Sequence, residues 1–120
     1  MAGKETTVSI ANRIDDRMEK DRRGRRVELS CRLFFFGQDD FEGEGTLLDI
    51  SASGLRASSF IALQPGSLLQ ISLFLPDHPW PLRVDEASVQ WVNGQEFGME
   101  FMNLRPAQRV RLRALVMQVK

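Results

Sequence analysis

The sequence predicts a mainly β protein: one antiparallel sandwich or barrel of six strands, followed by a helix at the C-terminal end. Three observations carry this. Apolar residues recur at every second position from Val27 onward, turn-forming residues interrupt the chain at short intervals, and helical spacing is confined to the two ends. With 120 residues, the chain can build about one core, burying roughly two-thirds of its unfolded surface.

The first strand places Val27, Leu29, Cys31, Leu33 and Phe35 on one face, with Glu28, Ser30 and Arg32 opposite. Gly37-Gln38-Asp39-Asp40 ends it, and a second strand runs from Gly45 to Ile50. A short third strand spans Leu55 to Ser59, and Pro65-Gly66 turns the chain into a fourth from Leu68 to Leu75. Pro76, Pro79 and Pro81 break the pattern before a fifth strand, Leu82 to Val92. Asn93-Gly94 is a hairpin signal joining it to a sixth, Glu96 to Met102.

Pro106 suits the first turn of a helix, and Leu112, Leu115, Val116 and Val119 repeat as one helical face. This face is expected to pack on the barrel, leaving Arg109, Arg111 and Arg113 in solvent. Ahead of the strands, Ile10, Ile14 and Met18 form a thin helical stripe that should end near Gly24. The expected organisation is an N-terminal arm over residues 1–21, flexible or helical, and a barrel with its C-terminal helix over 22–120.

The formal net charge is zero, but the charges are segregated. Residues 1–32 hold nine Lys or Arg against six acids, residues 33–104 two against ten, and residues 105–120 five against none. An acidic barrel with basic ends is poorly suited to tracking a nucleic-acid backbone. No apolar run approaches the roughly 20 residues of a membrane span, and the N-terminus lacks a secretory stretch, so no membrane insertion and a cytoplasmic location are expected. The lone Cys31 is read as a small buried hydrophobe.

Two clusters carry chemistry. Arg22-Arg23-Gly24-Arg25-Arg26 puts an R-x-x-x-R spacing just before the first strand. Guanidinium groups match phosphate oxygens and the O6 and N7 acceptors of guanine, and they stack on bases. Arg22 and Arg26 would lie about 13 Å apart in an extended arm and about 6 Å apart in a helix. The second cluster, Asp49-Ile50-Ser51-Ala52-Ser53-Gly54, falls where the second strand ends, and alternation puts Asp49 and Ser51 on one side. Asp49 can accept from guanine N1 and N2 or orient an arginine, Ser51 can bond a base edge or a phosphate, and Gly54 permits a positive φ or close ligand approach. Either cluster alone also has an ordinary reading, as a basic tail or as a polar turn between strands.

Together the two clusters resemble the PilZ domain family, whose pattern is R-x-x-x-R followed some 20 to 30 residues later by D/N-x-S-x-x-G. Both halves match, and Gly98-Met99-Glu100-Phe101 is similar to the G-x-x-F of that family's final hairpin. The resemblance implies a six-stranded antiparallel barrel with a C-terminal helix that binds cyclic di-GMP on its outer surface beneath the arm. It implies that Arg22 and Arg26 grip guanine and phosphate, that Arg23 assists, and that Asp49, Ser51 and Gly54 form the opposing wall. Arg25 receives no role. Asp21, just before the arginines, stands where members vary, leaving one or two ligands per chain open. Trp91 is suited to stacking on guanine or, equally, to packing in the core beside Ala87 and Val89. The arm is expected to fold over the ligand and to signal to a protein effector that the sequence does not identify.

A small nucleic-acid-binding barrel is the alternative, with Phe34, Phe35 and Phe36 as stacking surfaces, although alternation makes Phe35 a core residue. No enzyme, cofactor or metal site is expected: the single His78 lies in a proline-rich loop, and no Cys-His pairing or phosphate-cradling loop is present.

Overall fold

The structure, a computed structural model, describes residues 25–118. The expected arm over 1–21, with its helical stripe, and also Arg22, Arg23 and Val119, lie outside the described residues. Six strands appear in order: β1 (Val27–Phe36), β2 (Glu42–Ile50), β3 (Gly54–Ser58), β4 (Leu68–Leu73), β5 (Leu82–Asn93) and β6 (Glu96–Asn103), then α1 (Pro106–Gln118). They close into a barrel in the order β1-β2-β3-β6-β5-β4, all neighbours antiparallel, with β4 returning to β1. Closure leaves no unpaired edge.

Alternation explains the interior. Val27, Leu33 and Phe35 of β1 are buried while Glu28, Ser30 and Arg32 are exposed, and Leu29 and Cys31 pack against the core from its margin. Burial pushes the Cys31 thiol pKa up, as for a small hydrophobe. Phe35 meets Phe97 edge-to-face at 6.1 Å between centroids. Phe35 is therefore unavailable for base stacking, and Phe34 rests edge-on against Phe74 at 5.5 Å.

The β1–β2 connection is tighter than the sequence implies. Asp39 and Asp40 both adopt left-handed φ angles of 58° and 61°, a conformation that aspartate tolerates better than most residues. Pairing accordingly resumes at Phe36 opposite Glu42, and β2 begins three residues before Gly45. Gly94, at φ 65°, supplies the hairpin between β5 and β6.

The helix seats Leu112, Leu115 and Val116 in the core as its spacing predicts. Arg111 departs from expectation. Its side chain is only 9% exposed and grips Asp77 of the proline-rich loop, Nε to Oδ2 at 3.0 Å and Nη2 to Oδ1 at 2.8 Å. These bonds hold the Asp77 carboxyl below the usual carboxylate range despite its burial. Local periodicity could not reveal this, because the partner lies 34 residues away.

Candidate functional site

Strict alternation would point Asp49 the same way as buried Leu47, into the barrel. The strand avoids that with a bulge. Leu47 pairs with Ala57 and Asp49 with the very next residue of β3, Arg56, so Leu48 is an extra residue. Arg56 lies between the buried Leu55 and Ala57 and faces outward, and Asp49 follows it to the outer surface.

There Asp49 is only 7% exposed because two arginines cover it. Arg26 Nη1 donates to Oδ1 at 2.8 Å, and Arg56 Nε donates to Oδ2 at 2.8 Å. Arg56 also donates from Nη1 to Glu96 Oε1 at 2.9 Å, completing a line of alternating charges, Arg26–Asp49–Arg56–Glu96. Charge-assisted bonds at both oxygens offset the cost of removing the carboxylate from water. The bond to Asp49, chiefly, raises the Arg56 pKa further above its already high value, with burial opposing. Of the two roles open to Asp49, orienting arginines is the one this conformation displays.

Trp91 reaches the same surface by the same device. Val89 pairs with Met99 and Trp91 with Gly98, so Gln90 is an extra residue and the indole turns away from Ala87 and Val89. At 41% exposure Trp91 is not a core residue. A Cβ on Gly98 would stand 2.2 Å from the indole Nε1 and 2.5 Å from Cε2, so the ring lies across the glycine. A third register shift follows Glu28 in β1. The pairings then align Glu28, Asp49, Arg56, Gly98 and Trp91 in one row over five neighbouring strands, about 19 Å across at roughly 4.8 Å per strand.

Ser51 and Gly54 form the turn at the end of β2. The Ser51 backbone N–H donates to the Gly54 carbonyl at 2.8 Å, its hydroxyl donates to the same carbonyl at 3.3 Å, and Ser53 N–H donates to that hydroxyl at 3.3 Å. The hydroxyl is buried within the turn rather than projecting beside Asp49. Gly54 does not use a positive φ. A side chain there would stand 2.2 Å from the Met99 carbonyl oxygen, so the glycine serves the approach of β3 to β6.

The structure thus brings Arg26, Asp49 and Trp91 onto one face, with Ser51 and Gly54 shaping its border; Arg22 and Arg23 lie outside the described residues. Sequence reasoning missed Arg56 and Glu96, and read Gly98 only as part of the hairpin motif. Arg56 did leave a signal, being one of two basic residues in the acidic stretch 33–104 and standing between two apolar residues of a strand. The site is a shelf rather than a cleft. The groove of about 540 Å³ between β4, β5 and the start of α1, bordered by Phe36, Arg83 and Gln108, includes none of its residues. Among the described residues no group of His, Cys, Asp or Glu is placed to hold a metal ion.

The PilZ domain profile matches residues 16–118. The chain belongs to the PilZ domain family. No curated protein sequence matches it, but solved PilZ-like structures share its fold. The PilZ domain of Escherichia coli YcgR, determined with c-di-GMP, superposes with a TM-score of 0.66 at 16% identity, covering 83% of this chain and 92% of that one. The Bacillus subtilis inhibitor of motility, MotI/DgrA, gives a TM-score of 0.68 at 16% identity over 83% of this chain. This chain spans 51% of MotI's length. The PilZ domain of CeSA from a cellulose-synthesising bacterium gives 0.61 at 16% identity, covering 78% and 95% of the two chains. At this identity the likeness is one of fold, and it agrees with the barrel and C-terminal helix that the PilZ resemblance implied. No described helix is long and apolar enough to cross a membrane.

Proposed function

We propose that this PilZ domain protein is a cyclic di-GMP receptor whose binding surface is the row containing Asp49, Arg56 and Trp91, completed by Arg22, Arg23 and Arg26 where the arm meets the barrel. One observation carries the reading: Arg26 and Asp49, the nearer ends of the two family motifs, are bonded to each other at 2.8 Å on the outer surface of the barrel. The YcgR domain, solved with c-di-GMP, supports the ligand's identity.

In this reading Arg22 and Arg26, assisted by Arg23, take the phosphates and the O6 and N7 edge of guanine. Asp49 turns to the guanine N1 and N2 donors once Arg26 has left it. Ser51 and Gly54 keep the wall flat, and Trp91 offers its exposed face for stacking. Residues 1–21 act as the arm and 22–120 as the barrel. The ligand exchanges Arg26 from protein carboxylate to dinucleotide, the arm reorders, and the new surface is read by a protein effector in the cytoplasm. The protein needs no cofactor and catalyses nothing.

Calorimetric titration with cyclic di-GMP tests this, with GTP and single-stranded oligonucleotides as controls. Saturable heat with cyclic di-GMP alone is expected, and its stoichiometry counts ligands per chain. An absence of heat would refute the reading. Preference for oligonucleotides, weakening steeply with salt, would establish the nucleic-acid alternative.

A further inference from the structure

The two arginines on Asp49 are held very differently. Arg26 precedes the first strand, its side chain is 54% exposed, and it makes one bond to the carboxylate. Arg56 sits in the middle of β3, hydrogen-bonded strands on either side of it. Its side chain is fixed at two points, Nε on Asp49 and Nη1 on Glu96. The rotamer freedom of Arg56 is already spent, whereas that of Arg26 is not.

We infer that Arg56 is a positioning residue: its bond to Asp49 persists when ligand draws Arg26 away, keeping the carboxylate paired, on the outer face and turned toward the guanine edge. The inference rests on the proposed cyclic di-GMP site and adds a residue outside both sequence motifs. The carboxylate side chain is 10% exposed. If Arg26 were its only cation, moving Arg26 to the ligand would strand a largely buried charge, and the exchange would oppose binding. Arg56 removes that penalty. Glu96 contributes indirectly by preventing Arg56 from swinging after the departing group. Gly98 lies directly beyond Arg56 in the row and brings no side chain to crowd it.

A positioning residue acts through its partner, and a double-mutant cycle detects this. Affinities for cyclic di-GMP and cyclic di-AMP are measured on the wild type, Arg56→Ala, Arg56→Lys, Glu96→Gln, Asp49→Asn and the Arg56→Ala/Asp49→Asn pair. Circular dichroism confirms folding. Arg56→Ala should weaken cyclic di-GMP binding by about thirtyfold and reduce its preference over cyclic di-AMP, as expected when a charged hydrogen-bond partner is lost. Arg56→Lys should not restore binding, because an ammonium cannot span two carboxylates in one plane. Glu96→Gln should cost about threefold. In the Asp49→Asn background, Arg56→Ala should cost less than about threefold. Wild-type binding that survives Arg56→Ala unchanged, or equal losses in both backgrounds, overturns the inference while leaving the receptor reading intact. Failure of the wild type to bind overturns both.

Discussion

Asp77 and Asp49 each meet arginines on the barrel surface, but with opposite wiring. Asp77 gives both oxygens to Arg111, which is 9% exposed and whose Nη1 is buried without a hydrogen-bond partner among the described residues. Asp49 divides its oxygens between Arg26 and Arg56, and Arg56 is divided again between Asp49 and Glu96. The first is a compact pair, both oxygens of one carboxylate on one guanidinium with His78 3.9 Å away, and it fastens α1 to the proline-rich loop. The second is an open line, in which one partner can leave and the rest stay paired. The same two residue types therefore make a rivet in one place and an exchangeable contact in the other.

The largest test of this contrast is Asp49→Ala. It should abolish measurable cyclic di-GMP binding in calorimetry, a loss of at least about a hundredfold or roughly 2.7 kcal/mol. Its thermal midpoint should fall little, since both orphaned arginines can reach water. Arg111→Ala should do the reverse, costing about 2 kcal/mol of stability and roughly 10 °C in midpoint by thermal denaturation, with ligand affinity unchanged. If the two variants shift stability and affinity together, the distinction between the pairs collapses.

Gly98→Ala probes the open end of the row. Its added methyl would collide with the Trp91 indole and displace it. In a Trp80→Phe background the emission of Trp91 should change, and affinity should drop about fivefold, near 1 kcal/mol. The smallest effect concerns pH. Arg111 lowers the folded-state pKa of Asp77, so the pair stabilises the protein above the unfolded value of about 4, and this is lost as pH falls through the lower folded value. The stability gap between wild type and Arg111→Ala should hold steady from pH 7 to about 5 and narrow below about 4.

How much of this was legible in the sequence depends on the range of the forces involved. The strands and the buried helix stripe could be read because alternation and i, i+4 spacing are local, and the Asn93-Gly94 hairpin because its turn chemistry is local too. The direction in which Asp49 and Trp91 face could not be read, since each depends on a register shift set by a neighbouring strand. Helical spacing sends Arg111 to solvent, and its partner, in a loop 34 residues earlier, leaves no local trace. Ser51 and Gly54 were identified as a unit, but the physical reason for each emerges only from the turn and from the approach of Met99.

The extra residue at Leu48 reverses the parity of β2. Upstream of it the buried positions of β2 keep one phase, set by Leu47; downstream the phase is reversed, so Asp49 faces out and Ile50 faces in. Removing Leu48 would place Asp49 one step from Leu47, an odd number, and would preserve the outward face, while leaving Leu29 and Ser30 of β1 with no residue of β2 opposite them. The orientation of the site is thus independent of the smoothness of the barrel that carries it. A chain of this design can shorten its second strand by one residue without turning its aspartate inward.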